Sequence, residues 1–180
     1  MATITLKEVN GGALSDLASG DSLVFSSSDS HEDNTDNVSL TRPNGGVVRS
    51  YEKWIKVVID DLADNDLLSN FQLYMADGAA PAAGVTMQVR LTAELGDAVK
   101  TDSATAGTDL FSYTSANPLL LTAANVTYGL AGDDPGVAVV DGNQIGQYIV
   151  VQMDLTPQAD LGVFSTNYGE IPITIRYDVA

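Results

Sequence analysis

Apolar residues recur at every second position along two long stretches of the chain, unbroken in the first and with one gap, at Gln147, in the second. In VTMQVRLTAEL, Val85, Met87, Val89, Leu91, Ala93 and Leu95 fall on one side, and Thr86, Gln88, Arg90, Thr92 and Glu94 on the other. In IGQYIVVQMDL, Ile145, Ile149, Val151, Met153 and Leu155 share a side. Period-two alternation is the mark of a strand with one buried face. YEKWIKVVID also reads as a strand: helical spacing would group Trp54, Val57 and Val58, but its Ile and Val residues lose rotamer freedom in a helix and suit a pleated surface. In EIPITIRYDVA, Ile171, Ile173, Ile175, Tyr177 and Val179 face one way, and Glu170, Pro172, Thr174, Arg176 and Asp178 the other. Pro172 cannot donate to a ladder, which suits a strand start or a sheet edge.

Shorter runs fill the intervals: TITLK, SLVFS (22–26), VSLT (38–41), GVVRS (46–50), NFQLYM (70–75), LLLT (119–122), NVTYGL (125–130) and GVAVV (136–140). Turn chemistry separates them, in NGG, RPNGG, MADGAAPAAG, AGDDPG and DGNQ. Nine to eleven strands at short spacing, with little helix, predict an all-β fold of the β-sandwich or jelly-roll-like kind. Short helical turns are expected at LSDLAS (14–19) and within DDLADNDLLSN (60–70), and a long surface loop over 96–118. The segment SSSDSHEDNTDN (26–37) is polar and aperiodic, a second loop. The organisation read from this is a segment 1–49, an arm or the first strands of the sandwich, followed by a sandwich domain 50–180.

Charge narrows the function classes. Eight Lys and Arg stand against 24 Asp and Glu, a formal net charge of −16 spread along the chain. Such a field repels phosphate, which argues against nucleic acid and anionic membrane as partners. No apolar stretch reaches the length of a transmembrane helix. The absence of cysteine removes disulfides, thiolate nucleophiles and cysteine metal sites together. MATITLKEVNGG has neither a basic nor an apolar leader region, so synthesis and folding in a cytoplasm are expected.

Candidate chemistry is sparse. Asp29, Glu32, Asp33 and Asp36, with the amides of Asn34 and Asn37, offer hard oxygen ligands for Ca²⁺, yet no glycine holds a sharp turn and no bidentate Glu closes the loop. A solvated acidic loop is the simpler reading. DDLADND (60–66) and GDDPG (132–136) are read in the same way. His31, the single histidine, lies in the first of these loops without a ligand partner. Nucleophile-elbow, phosphate-loop and dinucleotide motifs are missing, so no catalytic residue, no cofactor and no enzymatic activity are expected. Tyr51, Trp54, Tyr74 and Tyr148 are the candidates for an interface or a sugar-stacking platform, with a core or interface anchor the simpler role for Trp54.

The stretches SYEKWIKVVIDD (50–61), NFQLYMADG with GVTMQVRL (70–91), IGQYIVVQMDL (145–155) and IPITIRYDVA (171–180) together resemble, in pattern, small virion structural proteins of tailed bacteriophages, the head decoration or cement proteins in particular. The resemblance covers much of 50–180 and leaves the first fifty residues unmatched. It implies a β-rich, non-enzymatic protein that assembles in the host cytoplasm. Its partners are then the major capsid protein, whose outer surface it binds and stiffens, and copies of itself, with a trimer favoured. Two other readings stand beside it: a tail, neck or fibre protein of the virion, and a carbohydrate-binding or host-recognition module.

Overall fold

A computed structural model of the chain describes residues 2–9, 15–17, 25, 40, 42–62, 67–76, 80–96, 107–123, 126–131, 135–159 and 173–180. Among these residues twelve strands form two sheets that enclose one apolar core, an all-β sandwich. They are β1 (Thr3–Glu8), β2 (Ser15–Leu17), β3 (Val48–Arg49), β4 (Lys53–Asp61), β5 (Leu68–Met75), β6 (Val85–Thr92), β7 (Thr108–Asp109), β8 (Leu119–Leu120), β9 (Thr127–Gly129), β10 (Val137–Ala138), β11 (Asn143–Leu155) and β12 (Ile173–Val179). The count exceeds the nine to eleven read from alternation because β3, β7, β8 and β10 are only two residues long.

The larger sheet runs β2-β1-β4-β11-β6-β7, with β3 also on β11. The smaller runs β10-β9-β5-β12, with β8 also on β5. Val85, Met87, Val89 and Leu91 of β6 point inward as their alternation requires, together with Ile145, Ile149, Val151, Met153 and Leu155 of β11. Phe71, Leu73 and Met75 of β5 oppose them from the smaller sheet, and Phe71 stacks on Tyr177 of β12 with ring centroids 5.4 Å apart.

Two irregularities set the registers. In β11 the pairing with β4 jumps between Ile145 and Ile149. Gly146 adopts φ +67° there, and a Cβ on it would lie 2.6 Å from the Leu121 carbonyl oxygen. Leu121 closes the corner of the sandwich: its N–H donates to Phe71 of the smaller sheet at 2.9 Å, and its carbonyl accepts from Gln147 of the larger at 3.2 Å. In β5, Arg176 pairs with Gln72 and Asp178 with Ser69, so β5 carries one extra residue. Asn70 accommodates it with φ 55°, a left-handed conformation that Asn tolerates better than most residues.

Several expectations need correction. Ser15–Leu17, expected in a helical turn, is a strand paired with β1. Within the expected loop 96–118 lie β7 and a 3₁₀ turn, Leu110–Ser112, capped by Asp109, whose Oδ1 accepts from the Phe111 N–H at 3.1 Å. The β6 alternation stops at Thr92, leaving Ala93 and Leu95 exposed. The runs at 22–26 and 38–41, apart from Phe25 and Leu40, lie outside the described residues, as do residues 63–66.

Candidate functional site

The charged residues of the central strands face inward as well as outward. Lys53 of β4 lies on the core side, and its Nζ donates to Glu8 Oε1 at 2.7 Å with both side chains fully buried. On the opposite face of the same sheet, Trp54, Val58 and Val150 are buried too. Trp54 meets Tyr148 edge-on at 6.0 Å, the Arg90 guanidinium lies 5.2 Å from its ring, and Gly96 runs close over it. Lys56 sits 4.1 Å over the Tyr148 ring and donates to the Gly146 carbonyl at 2.6 Å. Burial pushes the Lys56 amine below its ordinary value of 10.5. Beside this patch, Arg49 pairs with Asp154 at 3.1 Å; burial raises the Asp154 carboxyl and the guanidinium opposes that rise.

The structure thus brings Trp54 and Tyr148 together and separates them from Tyr74. Trp54 is only 4% exposed, so its ring offers no open face on which a sugar could stack. Tyr51 lies between β3 and β4, where its carbonyl accepts from the Ser50 hydroxyl at 2.7 Å. Tyr74 is on the outward face of the smaller sheet, 5.6 Å from the Arg176 guanidinium.

On that face Arg176 and Asp178 are exposed, Asn70 and Tyr74 are half-buried, and Gln72 is covered by its neighbours. Arg176 Nε donates to Gln72 Oε1 at 3.1 Å, and its Nη2 donates to the same oxygen. Gln72 Nε2 donates to Asn70 Oδ1 at 2.8 Å, and Asn70 Nδ2 to Asp178 Oδ2 at 3.0 Å. Five side chains from Tyr74 to Asp178 therefore form one linked row, with exposed Leu120 of β8 opposite Gln72. The β5 bulge makes the row possible by turning Asn70 toward Asp178. Alternation in the sequence places Tyr74, Arg176 and Asp178 on outward positions, but Asn70 and Gln72 give no sequence signal of their role.

Seven of the eight cationic side chains lie within the described residues, and every one has an internal partner. Lys7 pairs with Asp60, Arg49 with Asp154, Lys53 with Glu8 and Arg90 with Glu52; Arg42 donates to the Ala159 carbonyl, while Lys56 and Arg176 are held as described above. Four of these cations are thus paired with a carboxylate and three with a neutral acceptor, while acidic residues outnumber basic ones by 24 to 8 in the whole chain. Among the described residues no group of three His, Asp or Glu is placed to hold a metal. Asp29, His31, Glu32, Asp33 and Asp36 lie outside them. Among the described residues no helix is long and apolar enough to cross a membrane. Comparisons with protein-family models, curated proteins and solved structures return no match.

Proposed function

We propose that the chain is a non-enzymatic structural protein of a tailed-bacteriophage virion, binding the outer surface of the capsid as a decoration or cement protein. The observation that carries the proposal is the linked row on the smaller sheet. Tyr74, Gln72, Asn70, Arg176 and Asp178 are already fixed by one another, so docking a protein surface against them loses little side-chain freedom. Tyr and Arg are the residue types that most often anchor such contacts, and Leu120 adds an apolar neighbour. The net charge of −16, with four of the seven described cations paired to carboxylates, supports the same reading, because an acidic outer field keeps the protein off packaged or spilled nucleic acid. The partner is the major capsid protein, and the working location is the virion surface.

Mass spectrometry of purified particles that encode this chain tests the proposal. A copy number in fixed ratio to the major capsid protein is expected. Absence from washed particles, or a handful of copies at a tail or neck position, overturns it.

A further inference from the structure

We infer that β12 is a self-complementary edge at which two copies of this chain pair, antiparallel, about a two-fold axis through Tyr177. The inference does not depend on the virion reading. Among the described residues β12 pairs with β5 alone. Ala180 and Leu67 exchange both backbone bonds, at 2.9 and 3.1 Å, which turns the peptide groups of the even-numbered residues toward β5. Consistently, Met75, opposite Ile173, sends its N–H away from β12 to the Tyr113 carbonyl at 3.0 Å. Ile173, Ile175, Tyr177 and Val179 therefore present their N–H and C=O groups along the outer edge.

The sequence along this edge is complementary to its own reverse, with apolar ends, opposite charges inside them and Tyr at the centre: Ile175, Arg176, Tyr177, Asp178, Val179. With the axis at Tyr177, its N–H and C=O meet those of the partner's Tyr177, and Ile175 stands opposite the partner's Val179. Arg176 stands opposite the partner's Asp178 at a non-hydrogen-bonded position, where facing side chains come closest. Moving the axis one residue either way sets Arg176 against the partner's Arg176, or Asp178 against the partner's Asp178. Charge thus disfavours both adjacent registers, and only the axis at Tyr177 sets Arg176 against Asp178. Val179 is 51% exposed on the single chain, and the pairing covers it with Ile175 of the partner subunit. Because the contact is isologous it joins chains in twos, in place of the trimer that the resemblance implies. It also sets two linked rows side by side on one continuous sheet, so that a surface repeat engages both.

Charge reversal tests this. Each chain carries a net charge of −16, so masses are measured by sedimentation in about 0.15 M salt or above, where the long-range repulsion is screened. The unaltered chain is expected to sediment as a dimer. Arg176→Asp alone and Asp178→Arg alone each put like charges opposite one another at both positions and are expected to be monomers. Mixing these two variants is expected to restore a dimer containing one of each, and Arg176→Asp with Asp178→Arg in one chain restores its own dimer. Thermal melts of each variant report folding, and the doubly reversed chain carries the test if a single variant does not fold. A monomeric unaltered chain, a trimer whose mass ignores the reversals, or folded single variants that do not associate when mixed overturns the inference.

Discussion

Lys53 and Glu8 meet at 2.7 Å in the interior of the sandwich, 45 residues apart in sequence and both without exposed side-chain surface. Two charges have been moved out of water, and each is tolerated because the other is there. Glu8→Ala or Lys53→Ala alone leaves an uncompensated charge and is expected to lower unfolding free energy by about 3–5 kcal/mol. Replacing both, Glu8→Ala with Lys53→Ala, leaves no unpaired charge and is expected to cost less than the two single losses added together. Urea melts of the three variants measure the cycle, and single losses that simply add in the double variant contradict it.

Gly146 is expected to resist substitution. Gly146→Ala places a Cβ against the Leu121 carbonyl on backbone at φ +67°. The left-handed conformation alone costs an L-residue about 1–2 kcal/mol, and the close approach adds to it. A fall in unfolding free energy beyond that range is the expected outcome. A neutral effect shows that the corner relaxes.

Asp154 gives the chain a pH-dependent component with a definite sign. Burial raises its carboxyl in the folded protein above the ordinary value of 3.8, so the folded state holds the proton more tightly than the unfolded state. Its contribution is fully present below 3.8 and is lost as pH rises through the raised folded value. Asp154→Asn has no such proton to lose. The difference in unfolding free energy between Asp154→Asn and the unaltered chain should therefore shift in the variant's favour as pH rises through that window, and a constant difference contradicts the assignment.

Trp54→Ala is expected to report on stability. The ring is buried between Tyr148, Arg90 and Gly96, and truncating a buried Trp costs about 3–5 kcal/mol. A glycan array that loses binding on this substitution, with melting unchanged, would return Trp54 to the role of a sugar platform.

Removing residues 171–180 deletes β12 and with it Ile173, Ile175 and Tyr177, which pack on the core and flank β5. Aggregated protein is expected from the truncation. A soluble product that melts cooperatively shows that β5 tolerates an open edge.

The sandwich was legible because its two cleanest strands mostly alternate: the positions read as inward in β11 are inward despite the irregularity at Gly146, and in β6 they hold as far as Leu91. What alternation could not show is pairing at a distance. Lys53 occupies an inward position whose partner, Glu8, is set by the register of β1 on β4. Asn70 looks like any polar strand residue until the extra residue in β5 turns it toward Asp178. Ser15–Leu17 and Thr108–Asp109 are too short for any period, and only their neighbours make them strands. Trp54 stood out by residue type, but that it is covered follows from the Tyr148, Arg90 and Gly96 placements.

The order of strands also fixes when the molecule can form. β4 is complete at Asp61, yet its neighbour β11 begins at Asn143; β5 is complete at Met75, yet β12 begins at Ile173. A chain emerging from the ribosome therefore holds β4 with only β1 beside it, and β5 without β12, for about 80–100 residues of synthesis, some seconds at usual elongation rates. Folding must wait for the far half and then close large loops, which places it among the slow, high-contact-order cases. During that interval the nascent chain exposes apolar strand faces to chaperones and to misassociation, and a net charge of −16 acts against the second by repulsion between like chains.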